Sequence, residues 1–236
     1  MGLTIHYSLK LDSLSIELAK EKLTALHEVA VDLPFAQVGE IVEFEGEDCH
    51  FDRDNRDDRL NFLKLHAYKY VRDGDSYSSV AASRAIAFCT WPGQGCEAAT
   101  FGLALHPKQT ATDLTGWSWS SFCKTQYASN PEYGGIEHFL KCHLLVIKML
   151  DSAQELGILN RVSDEGKYWE NRNNIQELAE CVGNYNALVA AVVGRISNLF
   201  GEGSKERTYS PISDYPNFEY LEAEGSQKID EGNLPN

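Results

Sequence analysis

Cysteine and histidine side chains offer the most evident chemistry in this 236-residue chain. Cys123 stands beside Lys124 and is expected just before a helix, and both features lower a thiol pKa as nucleophilic catalysis requires. The partner base would be His106, His138 or His143, brought near Cys123 by folding. This interpretation predicts a hydrolase. The alternative is a packed, unreactive thiol, because aromatic residues surround Cys123 in the sequence.

His138 and Cys142 form a second candidate arrangement. Helical residues four apart share a face, so two metal ligands at this spacing are mechanically reasonable. Cys123 could supply a third ligand. A structural zinc site normally has closely spaced ligands on two segments, however, and the second pair is missing. We therefore predict neither a metal nor another cofactor. His143 lies on the apolar stripe of the same helix, and we expect it to be a hydrogen-bonded core histidine.

His6 and Ser8 occupy alternate positions in an otherwise apolar segment, residues 5–9. This segment resembles one half of the signature of the 2H phosphoesterases, a duplicated two-layer fold. In that family, paired His-x-Ser/Thr strands hold a cyclic or terminal phosphate. The resemblance implies catalytic roles for His6 and Ser8. The segments around His66 and His106 both lack the Ser or Thr of a second half, so the pattern is incomplete.

Aromatic residues with polar tips cluster in two later segments, near a few acids. Such residues suit a mostly apolar cleft for a small ligand. The predicted ligand-binding residues are Trp117, Trp119, Cys123, Tyr127, Tyr168 and Trp169, with Asp164 and Glu165 as the polar side. The alternative is that these residues simply form the core.

The charge balance restricts the possible partners. The chain has 35 acidic and 21 basic residues, a net charge of −14, which disfavours nucleic acid and anionic membrane because phosphate binding needs clustered Lys and Arg. The beginning of the sequence lacks a signal-peptide pattern, and no run reaches the roughly 18 apolar residues of a membrane span. We expect a cytoplasmic protein. Its six cysteines, none in C-x-x-C spacing, are then reduced thiols.

The hydrophobic pattern predicts elements that could position these residues. Residues 4–11 alternate as a strand, a helix follows, and a second strand gives a ferredoxin-like β–α–β start. Residues 61–71 fit a strand, with a short helix as the alternative. The remaining predicted elements are a hairpin of strands 84–91 and 98–106, a helix over 136–153, a strand over 158–163 and a helix over 175–200.

These elements predict an α+β fold: a two-layer sheet with about three main helices and room for a cryptic duplication. Residues 1–200 form one globular domain in this interpretation. Residues 201–236 contain eight acidic and three basic residues and few aliphatic ones, which predicts a largely disordered tail. Residues 215–221 could still dock on the domain or on a partner.

Three sequence blocks are similar to segments of uncharacterised bacterial proteins of about this length. They are residues 92–97 (PGQGCE), 116–129 (GWSWSSFCKTQYAS) and 164–170 (DEGKYWE). The resemblance covers residues 1–200 and brings no activity with it. The favoured prediction is a binding or interaction protein whose partner is a small molecule or a protein. The hydrolase, using Cys123 or His6 and Ser8, remains the alternative.

Overall fold

The computed structural model describes residues 3–52, 54, 60–73, 76–107, 116–172, 174–200 and 210–232. These residues combine helices with an antiparallel sheet, as the predicted mixed class requires. The strands are β1 (Thr4–Leu11), β2 (Gln37–Val38), β3 (Val42–Glu45), β4 (Lys69–Asp73), β5 (Ser76–Val80), β6 (Arg84–Trp91), β7 (Ala99–Leu105), β8 (Trp117–Lys124) and β9 (Leu159–Asp164). The helices are α1 (Ile16–Asp32), α2 (Asn61–His66), α3 (Gly135–Glu155), α4 (Ile175–Phe200) and α5 (Phe218–Asp230).

The main sheet has the order β2-β6-β7-β8-β1-β9, and β3 also pairs with β6. Each pairing in it is antiparallel. β4 and β5 form a separate two-stranded sheet. β1 is therefore an interior strand of the sheet. Its side chains alternate between the two faces, so Ile5, Tyr7 and Leu9 are buried while His6 and Lys10 are exposed.

The ferredoxin-like start is wrong. β1 and β2 do flank α1 in sequence, but β8, β7 and β6 lie between them in the sheet. The reason is that the hairpin β6–β7 and the following strand β8 pair with their neighbours in an antiparallel meander that fills this space. A split β–α–β unit occurs later in the chain: β8 and β9 flank α3 in sequence, and β1 lies between them.

Helices α1 and α2 pack on opposite faces of the sheet. His27 of α1 meets the ring of Phe88 edge-on, at 4.9 Å between centroids. Lys64 of α2 lies over the ring of Phe44, and Phe44 pairs with Ala85 on β6. Because side chains alternate along a strand, residues 85 and 88 project to opposite faces. The face beneath α2 is the one that carries the main groove described below.

The disordered-tail prediction is wrong for residues 210–232. A short 3-10 turn, Pro211–Asp214, is followed by α5, and both pack on α4. Ile212, Tyr215 and Leu221 are buried in a cluster with Val189 and Val193 of α4. Apolar residues are few in this acidic segment, so its composition alone did not indicate that Ile212, Tyr215 and Leu221 pack on α4. Tyr215 and Leu221 of the 215–221 segment thus pack against α4, and residues 201–209 lie outside the described part of the chain.

Candidate functional site

A groove of about 720 Å³ lies over β1, β8 and β9, beside α2. Its lining combines two imidazoles, one guanidinium, several hydroxyls and a few large apolar side chains. These lining residues include His6, Ser8, Phe62, Leu65, His66, Ser120, Phe122, Arg161 and Ser163. His6 and Ser8, predicted from their spacing, therefore lie in the main groove of the described structure.

Strand register brings the floor of the groove together. His6 on β1 stands opposite Phe122 on β8 and Ser163 on β9. Two residues further along the same face, Ser8 stands opposite Ser120 and Arg161. Cross-strand neighbours have Cβ atoms about 5 Å apart, so the two rows place three hydroxyls and Arg161 around His6. The Ser8 hydroxyl oxygen also accepts a hydrogen bond from Asn160 Nδ2 at 3.0 Å.

His66 of α2 forms the wall opposite His6. Its Nδ1 lies 3.1 Å from the carbonyl oxygen of Ser120, and because a carbonyl only accepts, Nδ1 carries the hydrogen. Burial lowers the pKa of His66, and the bond to Ser120 opposes this effect only in part. The ring centroids of His6 and His66 lie 6.0 and 5.7 Å from that of Phe122. The two imidazoles thus lie beside one aromatic ring, and burial favours the uncharged form of His66.

Arg161 brings a guanidinium to the groove of a strongly acidic chain. Arg161 is exposed and makes no ion pair with any described residue. Burial, together with repulsion from Lys10, lowers the pKa of Lys69. Burial and the charge of Lys69 lower the pKa of His106 to about 4. His106 is therefore uncharged at pH 7, and Lys10 is paired with Asp12, so Arg161 is the cation that the groove lining offers to an anion.

Cys123 does not have the properties of a nucleophile. It lies near the end of β8, a short 3-10 helix (Gln126–Ser129) follows, and the Cys123 side chain is fully buried. Burial raises the pKa of the thiol well above its usual value, and the neighbouring Glu97 adds to this effect. Its Sγ donates to the carbonyl oxygen of Glu97 at 3.2 Å. The structure therefore supports the packed-thiol interpretation of Cys123.

The predicted aromatic cleft is not assembled in the described residues. Trp117 and Trp119 are core residues, because alternate positions of β8 face the interior. Glu165 binds the backbone nitrogen of Thr4 at 2.8 Å, and Trp169 stacks with the guanidinium of Arg172 at 4.0 Å. The remaining members also have separate structural places: Tyr168 packs between two core clusters, and Tyr127 faces a smaller groove beside Lys124. The alternative of core residues is the better account of most of this set.

Asp164 belongs instead to a buried polar network around His143. His143 Nε2 lies 3.2 Å from Asp164 Oδ2, and its Nδ1 lies 3.0 Å from Thr125 Oγ1. Asp164 also accepts from the backbone nitrogens of Gly166 and Trp169 at 2.8 and 3.0 Å. A carboxylate only accepts, so Nε2 carries the hydrogen and Nδ1 can accept from the threonine hydroxyl. The predicted hydrogen-bonded core histidine is confirmed.

His138 and Cys142 do meet, at 3.6 Å between Nε2 and Sγ. Cys96, from the turn between β6 and β7, packs against the buried cluster that contains Cys142. Cys123 Sγ instead donates a hydrogen bond to the backbone carbonyl oxygen of Glu97. Among the described residues, no three His, Cys, Asp or Glu side chains are grouped so that they could hold a metal ion. His138 and Cys142 are thus in side-chain contact across one turn of α3.

Sequence reasoning missed most of the groove. Ser120 and Phe122 alternate with buried residues of β8, and a strand assignment for residues 117–124 would have placed them on one exposed face beside each other. His66 is followed by Ala67 and Tyr68, so the His-x-Ser/Thr pattern does not single it out. Arg161 and Ser163 carry no signal of their own, because only the pairing of β9 with β1 brings them beside His6 and Ser8.

None of the described helices combines the length and the apolar character that crossing a membrane requires. The resemblance to uncharacterised bacterial proteins stays a prediction. Comparison of the chain with protein-family models, with curated proteins and with solved structures finds no match in any of the three.

Proposed function

We propose that this protein is a binding protein whose main groove takes a small ligand with an anionic group and an apolar part. The observation that carries the proposal is the meeting of Arg161 with a set of serine hydroxyls beside exposed aromatic and aliphatic side chains in one groove. This site replaces the aromatic cleft predicted from the sequence. The class of function, a small-molecule binding protein, is unchanged.

The anionic group is proposed from the donors at the floor. A guanidinium offers a planar fork of N–H donors that matches phosphate or carboxylate, and serine hydroxyls add further donors. Arg161 has Ser8 opposite it in β1, and Ser163 lies two residues further along β9. With no described carboxylate paired to it, Arg161 keeps its donors for a ligand. Phosphate and carboxylate share this chemistry.

The apolar part is proposed from the wall. Phe62, Leu65 and Phe122 are 38%, 46% and 40% exposed, although each is a large apolar side chain. All three line the same groove. Exposed apolar residues gathered in a concave site are typical of ligand-binding positions, because a ligand removes them from water. An aromatic or aliphatic phosphate or carboxylate satisfies both halves of the groove.

A phosphoester hydrolase is the second candidate, because two imidazoles lie in the same groove. His6 and His66 flank Phe122, and paired imidazoles can act as general base and general acid. β8, which pairs with β1, carries Phe122 opposite His6 and Ser120 opposite Ser8, and has no His-x-Ser/Thr of its own. Turnover of a phosphodiester such as bis(4-nitrophenyl) phosphate, abolished by His6→Ala in a folded protein, would support this candidate. A wild-type protein without turnover would remove it.

Substitution of Arg161 tests the binding proposal. We expect wild-type protein to bind phenyl phosphate, and Arg161→Ala to weaken this binding by about 10- to 100-fold, since a charged hydrogen bond contributes roughly 1.5–3 kcal/mol. Isothermal titration calorimetry at low ionic strength measures both affinities. Arg172→Ala is the matched control: Arg172 is half-exposed and paired with Asp151 outside the groove lining, so its loss leaves the affinity unchanged.

Phe122→Ala separates the two parts of the ligand. We expect it to weaken phenyl phosphate and leave inorganic phosphate nearly unaffected, because only the phenyl group reaches the apolar wall. Binding that is absent in the wild type, or equal in wild type and Arg161→Ala, would contradict the proposal.

A further inference from the structure

A groove of about 590 Å³, which we call the Trp91 groove, lies beside α2 at the β2 edge of the sheet. Its floor consists of residues from β2, β3 and the end of β6. Cys89 and Trp91 project to the same face of β6 as Ala85, because side chains alternate along a strand. The Trp91 groove and the main groove therefore lie on the same face of the sheet, and Phe62 of α2 lines both.

Trp91 is held in place and yet remains open to water. Its Nε1 donates to the backbone carbonyl oxygen of Cys96 at 3.1 Å, which fixes the indole in one orientation. Its own carbonyl oxygen accepts from the backbone nitrogen of Ala36 at 2.9 Å. The residue is nevertheless 39% exposed. A ring that is already oriented can receive a ligand with little further loss of side-chain entropy.

Apolar side chains at the start of α2 form the opposite wall of the Trp91 groove. Leu60 and Phe62 are each 38% exposed, whereas Leu63 is buried. Cys89 adds a half-buried thiol, and burial raises its pKa, so the thiol stays uncharged at pH 7. A concave site of this volume with exposed apolar side chains is typical of small-ligand binding, because the ligand removes those side chains from water.

Glu40 is the charged residue of the described lining, which contains no Lys, Arg or His. It lies between β2 and β3, is exposed, and makes no ion pair with any described residue. Glu43, three residues later, is instead paired with Lys20 of α1 at 2.8 Å. The Trp91 groove therefore carries a negative charge, opposite to that of Arg161 in the main groove.

We propose that the Trp91 groove binds a small amine, a ligand with an ammonium group on an apolar body. A carboxylate attracts the ammonium group by its charge, and the indole ring attracts it through the negative potential of its face, which is strongest for tryptophan. The apolar body packs against Leu60 and Phe62. This second site is independent of the anion site in the main groove, and the two grooves separate ligands by the sign of their charge.

Phenethylamine and 2-phenylethanol test the charge requirement, because they share a phenyl ring and differ in the ammonium group. Isothermal titration calorimetry on the full-length protein at about 0.15 M salt, where distant charges are screened, measures both affinities. We expect phenethylamine to bind one site about 3- to 10-fold more tightly than the alcohol, since an ion pair and a cation–π contact at exposed positions each contribute modestly. A wild-type protein that does not bind the amine, or binds both compounds equally, would overturn the proposal.

Variants of the two recognition residues locate the site. Glu40→Gln should remove most of the preference for phenethylamine and leave the affinity for 2-phenylethanol unchanged. Trp91→Leu keeps an apolar side chain but removes the aromatic ring, so it should weaken phenethylamine more than 2-phenylethanol. Because Glu40 is exposed, its variant is expected to fold normally, and it decides the matter if Trp91→Leu does not fold.

Glu43→Gln is the matched control, because it makes the same change of charge at a residue that pairs with Lys20 and does not line the groove. Its affinity for phenethylamine should equal that of the wild type. Equal losses in Glu40→Gln and Glu43→Gln would mean that the amine follows the net charge of the chain and has no site. Arg161→Ala should also leave amine binding unchanged, and a loss there would place the amine in the main groove and overturn the proposal.

Discussion

Asp164→Asn is expected to lower the free energy of unfolding by about 1–3 kcal/mol or more at pH 7, the cost of leaving a buried hydrogen-bond donor without its charged acceptor. The Asp164 carboxylate is buried and accepts from the backbone nitrogens of Gly166 and Trp169 and from His143 Nε2. Both carboxylate oxygens are used. An amide has one oxygen, so either orientation of asparagine turns its NH2 group toward at least one buried N–H donor.

The Asp164 carboxylate also makes the free energy of unfolding depend on pH. Burial raises the pKa of Asp164, but the bond and charge of His143 and the two backbone donors outweigh it, so the pKa lies below its ordinary value. A carboxyl with a lowered pKa in the folded state adds stability that is complete above its unfolded pKa, about 3.9, and lost as pH falls through the folded value. Stability should therefore fall below about pH 4 in the wild type, and less steeply in Asp164→Asn.

Urea unfolding at several pH values between 3 and 7 measures both effects. Asp151→Asn is the matched control, because Asp151 pairs with Arg172 at a half-exposed position and such pairs contribute about 1 kcal/mol or less. Equal losses in the two variants, or an unchanged acid dependence in Asp164→Asn, would show that the network around His143 is unimportant for stability.

Strong local patterns were sufficient to predict several elements from the sequence. The alternation of Ile5, Tyr7 and Leu9 with polar residues predicted β1, and the helical repeat over residues 175–200 predicted α4 with the bounds that the structure has. His143 was placed in the core for the same reason, since it continues the apolar stripe of α3. In each case the signal lies within one element, so no knowledge of its neighbours is needed.

The groove and the predicted aromatic cleft depended on information that a local pattern does not contain. His6 meets Ser163 and Phe122 only because β1 lies between β8 and β9, and this order follows from strand pairing across more than a hundred residues. The side-chain chemistry of Trp117 and Trp119 predicted a ligand cleft, whereas the alternation of side chains along β8 buries both residues. Residue type predicted what these side chains could do, and register decided where they are.

Gly225→Ala is expected to destabilise the protein by about 2 kcal/mol, against the intrinsic preference of a helix for alanine. A Cβ at position 225 would overlap the carbonyl oxygen of Ala187 on α4 and would lie 3.0 Å from the Cβ of Ala191. The obstacle is backbone, so it cannot rotate away, and overpacking of this kind costs roughly 1–3 kcal/mol or more. Moving α5 outward would also expose Ile212 and Leu221.

Gly183→Ala is the matched control, because it makes the same chemical change in α4 where a Cβ meets nothing within 4 Å. There only helix propensity acts, and alanine should stabilise the protein by up to about 1 kcal/mol. Urea unfolding gives the two signs, and hydrogen exchange of residues 210–232 locates the effect of Gly225→Ala in α5 and the turn before it.

Opposite signs from two Gly→Ala changes discriminate between the docked helix and the disordered tail that composition predicts. In a disordered tail, alanine at 225 would contact nothing, and both the stability of the domain and the exchange of residues 210–232 would be unaffected. In the docked arrangement, the close approach of α5 to Ala187 is possible only without a side chain at 225, so one methyl group is enough to separate the helices. A loss of protection confined to residues 210–232 would mean that α5 detaches while the sheet and α3 remain folded. A loss of protection spread over the whole chain would mean that the domain does not stay folded once α5 no longer covers α4.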